Sequence, residues 1–415
     1  MKRLLVIILG IVVLGLFNQC EYINIPIGVN PLEWAEDQVN LADANNTFGI
    51  GLLQELNTTQ TNENIFISPF SVATALSMAA NGAQGATQTQ MNEVMAFNGF
   101  DMQAINEMYL STINRITTLD EQVNMAMANA IWYDPSRLAI NSDFANTITN
   151  YYNGEANGIA FQDPIAPSLI NNWVSDATNG TIPTVLEGIP DYAIMYLINA
   201  IYFKGNWQTP FDSLFTYSGD FNLTDGSTTT IDLMNAQTNI PYYNHEMFQA
   251  IDLAYGDSLF MMTVFVPNDG HSVHDIVSNL SLENYKNWLN ALQNTQIMLQ
   301  LPKFSIEYDQ QLPTQLIAMG MDIPFAANAN VFPNFSNFGT PLTGNDMHIT
   351  GVLHKTFIEV DEVGTEASAV TVVEVGVTSV PNYPVVAANK PFFFVIRERQ
   401  ANLILFAGKM MNPNE

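Results

Sequence analysis

Residues Glu362–Pro381 read EVGTEASAVTVVEVGVTSVP. They lie between two runs with strand character, Phe357–Asp361 and Pro391–Ile396, so by position they form a long connection. Connections of this length without structure of their own are uncommon and usually functional. The composition, however, is that of a strand. Val and Thr dominate, and no proline falls between Gly364 and Val380, so every N–H is available for a ladder. Alternate residues separate into two sets. Thr365, Ala367, Ala369, Thr371, Val373 and Val375 are small or β-branched. Glu366, Ser368, Val370, Val372 and Glu374 oppose them and hold both glutamates. One face suits burial and the other suits mostly water. An ordinary core strand has the same alternation. Small residues at the head of the buried face, just after a glycine, suit a strand that must slide between two others.

Outward from this segment, periodicity predicts the remaining elements. Leu41, Ala44, Phe48, Leu52 and Leu56 form one apolar stripe, which predicts a helix over Leu41–Leu56. Ser68-Pro69 is a helix-start signal ahead of Ser71–Ala80, a stretch apolar on most sides. Helices are also expected over Met102–Thr117, Asn141–Tyr151, Pro167–Ala177, Leu282–Ala291 and Leu312–Met319. β-Branched, aromatic and Met residues mark strands at Val123–Tyr133, Ala193–Phe203, Gln249–Leu253, Leu259–Val266 and Ile297–Ile306. Gly256-Asp257 is a hairpin-turn signal, and Pro391–Ile396 with Leu403–Ala407 reads as a second hairpin. Helices crowd the first third and strands the rest, the pattern of an α+β fold. No repeat, linker or charge run divides residues 38–415, which read as one large domain.

The charge balance excludes several functions. Forty acidic residues against twelve basic ones give a net charge of −28. Nucleic acid and heparin-like polymers need a Lys/Arg stripe, so neither is an expected partner. The single cysteine, Cys20, excludes an intrachain disulfide and a structural cysteine zinc site. Lys2 and Arg3 precede an uncharged run from Leu4 to Phe17, short for a membrane span and suited to a signal-peptide core. With Cys20 close behind, the leader resembles a bacterial lipoprotein signal, in which the cysteine is lipidated and becomes the first residue. Asn18 and Gln19 depart from the small residues usual there. The expectation is a signal over 1–20 and a tether over 21–37. The protein is then exported, either lipid-anchored on the periplasmic or cell-surface side or secreted.

Catalytic signals are weak. Gly256-Asp257-Ser258-Leu259 spells an esterase signature, but it lies past mid-chain inside a strand–turn–strand, and no Asp-x-x-His follows. No Gly-x-Ser-x-Gly elbow exists. His271, His274 and Asp275 lie in a Pro-Asn-Asp-Gly loop without the glutamate of a His-Glu-x-x-His helix, and read as solvated. Neither a metal nor a cofactor is expected, and the chain does not read as an enzyme.

The long connection and its surroundings resemble the serpin family from about residue 38 to the C-terminus. Glu362-Val363-Gly364-Thr365-Glu366-Ala367-Ser368-Ala369 resembles the hinge of inhibitory members. Asn64-Ile65-Phe66-Ile67-Ser68-Pro69-Phe70-Ser71 matches the opening of the family's shutter helix, and Gly82-Ala83-Gln84-Gly85-Ala86-Thr87 the turn after it. Asn199-Ala200-Ile201-Tyr202-Phe203-Lys204-Gly205-Asn206-Trp207, with Phe211 beyond, matches the strand and turn at the top of the central sheet. Leu301-Pro302-Lys303-Phe304, His354-Lys355, Asn389-Lys390-Pro391-Phe392 and Phe406-Ala407-Gly408-Lys409 follow in the family's order.

The resemblance implies helices packed around three β-sheets and an exposed reactive-centre loop over about 362–388. It also implies a monomeric suicide substrate for serine proteases, with no catalytic residue of its own. Ser71, Asn199 and His354, with Trp207, would form the shutter and breach under and above the central sheet. Counting Glu362 as the first of the family's seventeen positions before the cut makes Thr378–Ser379 the reactive bond, with Val377 the second choice as donor of the scissile carbonyl. Counting back from Asn389 gives Val380–Pro381, a poor bond because proline follows. Val375, Val377 and Thr378 suit the shallow pocket of an elastase-like endopeptidase. The family's basic glycosaminoglycan helix has no counterpart, since Phe100–Thr117 contains only Arg115. A non-inhibitory serpin-fold binding protein is the alternative.

Overall fold

The apolar stripe of the first helix is buried along its length, and the helix runs Glu36–Thr59 in the computed structural model, which describes residues 33–326, 337–342, 347–349, 351–365 and 383–415. Trp34–Glu415 form one compact unit, so Trp34 and the first helical turn already belong to it. Among the described residues no helix is long and apolar enough to cross a membrane.

Ser68 starts the second helix, Pro69–Gly82. Its hydroxyl accepts the N–H of Ser71, and Pro69 occupies the first turn, where a missing N–H costs nothing. The helix is buried almost all round, as its lack of a polar face requires, and it packs between the strands Met195–Asn206 and Ile404–Met410. Seven further α-helices among the described residues complete the helical part.

The strands form three sheets among the described residues, in agreement with the α+β expectation. The largest has nine strands and includes the C-terminal hairpin Phe392–Glu398 with Ile404–Met410, and the hairpin Phe248–Tyr255 with Phe260–Pro267 around Gly256-Asp257. The six-stranded sheet runs Phe304–Gln311, Leu353–Val360, Gly364–Thr365, Met195–Asn206, Val123–Tyr133 and Gly154–Gly158. A small third sheet pairs Gly339–Pro341 with Leu138–Ile140.

One expected element divides. Ile297–Ile306, read as a single strand, is two: Gln293–Pro302 in the nine-stranded sheet and Phe304–Gln311 in the six-stranded one. The buried residues are Ile297, Leu299 and Leu301 before the break but Phe304, Ile306 and Tyr308 after it. The alternation slips phase at Pro302-Lys303, so the chain changes sheets there. The long strand Thr228–Asn244 was not anticipated, because its residues are polar and its place comes from pairing with Tyr217–Asn222 and Gln293–Pro302.

Candidate functional site

Among the described residues, two join the six-stranded sheet at its middle. Met195–Asn206 pairs along its whole length with Val123–Tyr133, from Met195↔Tyr133 to Gly205↔Val123. Leu353–Val360 pairs equally fully with Phe304–Gln311. Between these two halves stand Gly364, opposite Asn206, and Thr365, opposite Gly205 on one side and Val360 on the other. Among the described residues no other ladder joins the halves.

The two residues are held by a dense local network. Asp361 folds the approach, its Oδ1 accepting the N–H groups of Val363 at 2.8 Å and Gly364 at 3.1 Å. The Trp207 indole donates to the Asp361 carbonyl at 2.9 Å, and its backbone N–H donates to the Val363 carbonyl at 2.8 Å. Glycine is required at 364: a Cβ there would lie 2.2 Å from the Gly205 carbonyl oxygen. Thr365 is 3% exposed, and its hydroxyl lies 2.6 Å from that of Tyr255. Tyr255 in turn stacks on Trp207 with ring centroids 4.4 Å apart. Burial pushes the Tyr255 phenol up, so it stays neutral. Outside this core the Glu362 carboxylate meets the Lys303 ammonium at 2.9 Å and accepts from the Thr216 hydroxyl at 2.8 Å. Partial burial opposes the Glu362 charge, but the Lys303 and Thr216 bonds outweigh it and hold the carboxyl below its usual range.

Beneath the sheet, the segment Phe66–Ser71 ties both halves together. Towards one half, the Ser68 N–H donates to Nε2 of His354 at 3.0 Å, and the Thr356 hydroxyl donates to the Phe66 carbonyl. Towards the other, the Ser71 hydroxyl donates to Oδ1 of Asn199, whose Nδ2 donates to Oδ1 of Asn129 at 2.5 Å. Asn129 then donates to the Tyr152 carbonyl at 2.6 Å. A strand added between the halves must enlarge their spacing by about 4.8 Å, so one side of this clasp has to give way.

The family model described as "Serpin (serine protease inhibitor)" matches residues 43–413. The chain belongs to the serpin family. It is 30% identical to the leukocyte elastase inhibitor of Xenopus tropicalis over 90% of this chain and 100% of the relative. The native-state crystal structure of the thermophilic serpin Tengpin aligns with a TM-score of 0.82 at 30% identity, covering 92% of this chain and 96% of that one. Human thyroxine-binding globulin aligns with a TM-score of 0.81 at 25% identity, covering 91% of this chain and 100% of that one.

The serpin brings together the expected hinge residues Glu362, Gly364 and Thr365 with the breach residue Trp207. Ser71 and Asn199 share one network, while His354 bonds the neighbouring Ser68. The other hinge residues Glu366, Ala367, Ser368 and Ala369, the bond residues Val377, Thr378 and Ser379, and Cys20 lie outside the described residues. Sequence reasoning missed Tyr255, Asn129 and Lys303 as functional side chains. Asn129 had a signal, a lone amide in the apolar run Ala128–Trp132. Tyr255 had none, since its partner Thr365 lies far away in the chain. The tempting catalytic residues are placed structurally: Ser258 sits in the hairpin turn, Asp275 caps a short helix at Ser272, and His274 bonds Asn57.

His354 makes stability depend on pH. Burial lowers its pKa from 6.5 to about 4. It accepts from the Ser68 N–H, so it must be neutral, with its proton on Nδ1. The folded state therefore binds this proton more weakly than the unfolded one. Its contribution is complete above pH 6.5 and is lost as pH falls towards 4, by about 3 kcal/mol in all. His354→Gln has no proton to take up. Denaturant unfolding from pH 7.5 to 4.5 should show the parent losing stability relative to this variant below pH 6.5; parallel profiles would contradict the assignment.

Proposed function

We propose that this serpin inhibits elastase-like serine proteases as a suicide substrate, without chemistry of its own. The observation that carries the reading is the entry of Gly364 and Thr365 between two strands that no other described ladder joins. A segment already seated at one end needs only to be freed at the other. Cleavage at Thr378–Ser379, or after Val377, supplies that freedom. The register Gly364↔Asn206 and Thr365↔Gly205 then dictates how the rest enters. Ala367 and Ala369 follow Thr365 into the buried face, and Thr371 comes between Asn199 and His354, where its hydroxyl meets the clasp. Glu366 takes the outer face opposite Lys204. Val373 and Val375 each contribute about 1.5–3 kcal/mol when buried. The acylated protease moves with the strand and is distorted before its ester is hydrolysed. The small residues Val375, Val377 and Thr378, and the likeness to a leukocyte elastase inhibitor, support the elastase-like target. The likeness to thyroxine-binding globulin favours a second reading, a serpin-fold binding protein that inhibits nothing.

Stored energy separates the two. The intact inhibitor is metastable and held by a kinetic barrier. Limited elastase cleavage within Val375–Val380 should raise its thermal midpoint by tens of degrees, and an SDS-resistant complex should form. A cut chain that melts no higher, with no complex, is the outcome for a binding protein.

Thr365 gives the sharper mutational test. Arginine there would put an unpaired charge against Tyr255, at a cost of several kcal/mol. Thr365→Arg should be cut at the same bond yet trap no protease. Undiminished complex on a gel would refute the role given to the hinge.

We further propose that the chain is exported and lipidated on Cys20. Labelled palmitate should enter the full-length protein but not Cys20→Ala; equal labelling of both would rule this out.

A further inference from the structure

The chain reverses between Val360 and Thr365, and one side chain holds the reversal. Asp361 and Gly364 lie opposite each other within it. In an ordinary tight hairpin such a pair exchanges two main-chain bonds, N–H to carbonyl in each direction. Here the Asp361 N–H donates to the Gly364 carbonyl at 3.0 Å, but the return bond goes elsewhere. The Gly364 N–H turns to Oδ1 of Asp361 at 3.1 Å, and the Val363 N–H meets the same oxygen at 2.8 Å. The side chain thereby stands in for its own carbonyl, as short polar side chains do in turns. The freed carbonyl accepts the Trp207 indole at 2.9 Å. The next two carbonyls are taken from the same side, that of Glu362 by the Phe211 N–H and that of Val363 by the Trp207 N–H, each at 2.8 Å. The reversal is therefore built in full and fastened at the end of Met195–Asn206, where Gly364 stands opposite Asn206. At this level the two halves of the sheet are already one strand apart, with Thr365 between Gly205 and Val360.

We propose that Asp361 is a positioning residue for strand insertion: its Oδ1 keeps the reversal built before cleavage, and so sets how the cut serpin divides between trapped complex and spent chain. This rests on the inhibitor reading and adds to it a residue that lies outside the hinge motif. After cleavage at Thr378–Ser379 the protease is held as an ester between its serine oxygen and the Thr378 carbonyl carbon. Two events then compete. In one, water adds to that carbonyl, the ester C–O bond breaks, the serine oxygen regains a proton and Thr378 keeps a free carboxyl group. In the other, the strand enters and distorts the enzyme first. A strand that starts from a finished reversal adds pair by pair from a fixed end, with the entropy of closing the turn already spent. Without Oδ1 the Val363 and Gly364 N–H groups lose their acceptor, and the turn must be remade before each entry. Asp361 has no part in the attack on the loop or in the hydrolysis of the ester, so its loss slows insertion alone.

Three variants separate the oxygen from the charge. Asp361→Asn keeps an acceptor in place and removes the charge, which also acts on Lys303 beside Glu362. Asp361→Ala removes both. Asp361→Glu keeps the charge and displaces the oxygen by one methylene, and it carries the comparison should the alanine variant not fold. Hydrogen exchange is followed at the Val363 and Gly364 amides of the uncut proteins. Each protein is then mixed with a pancreatic-type elastase. The rate of loop cleavage, the moles of serpin consumed per mole of enzyme inhibited and the thermal midpoint are measured. We expect exchange at these two amides to be about tenfold faster in the alanine and glutamate variants and parental in the asparagine variant. The same two variants should consume several-fold more serpin per enzyme, with cut chain replacing complex on the gel, at a parental rate of cleavage. The asparagine variant should inhibit like the parent. A residue that merely stabilised the fold would lower the midpoint without moving this ratio. Parental exchange in the alanine variant, or a parental ratio despite fast exchange, would overturn the proposal. So would an asparagine variant as poor as the alanine one, since the effect would then belong to the charge near Lys303. A parent that forms no complex brings down the inhibitor reading and this role with it, whereas variants that all trap as the parent does bring down the role alone.

Discussion

The seating of Thr365 between Val360 and Gly205 is the constraint on which the molecule turns. Its hydroxyl is held by Tyr255, Tyr255 by the ring of Trp207, and Trp207 by the backbone of Asp361 and Val363. Gly364 lets two backbones approach where a side chain would meet the Gly205 carbonyl, and Gly205 leaves room for the Tyr255 ring. These contacts start a strand at Gly364–Thr365. On the proposed insertion, they set the register and face of whatever follows, so its course is decided before it begins.

The clasp beneath the sheet opposes that start. Phe66 and Ser68 hold one half, Ser71 holds the other, and all belong to the entry of a single buried helix. A buried polar group that loses its partner costs about 1–3 kcal/mol. Parting the halves exposes several such groups at once, which makes the clasp a barrier rather than a mere anchor. On the proposed insertion, a threonine arriving at that level restores a partner to Asn199 or His354. Under that proposal barrier and reward reside in the same few side chains, so a sheet slow to open is stable once filled.

The outer face adds a second level of control. The ion pair of Glu362 with Lys303 is partly exposed and of modest strength, but it joins the hinge to the point where one strand ends and the next begins in another sheet. The hinge thus stands where two sheets meet.

Much of this was legible in the chain alone. The alternation through Glu362–Pro381, the glycine before small residues and the absence of proline read as a strand, because side-chain period and backbone donors are local properties; the described residues carry that strand at Gly364–Thr365. The motif series carried the family, and with it Ser71, Asn199, Trp207 and His354. The division of Ile297–Ile306 was also present, as a phase slip at Pro302-Lys303, but a slip becomes informative only when there are two sheets to receive its halves. The sequence could not reveal that Tyr255 would hold Thr365 or that Asn129 would continue the Ser71–Asn199 relay. These pairs are far apart along the chain, and no local period or propensity connects them. Only the packing of helix and sheet brings them within reach of a hydrogen bond, because that is where buried polar groups must find partners.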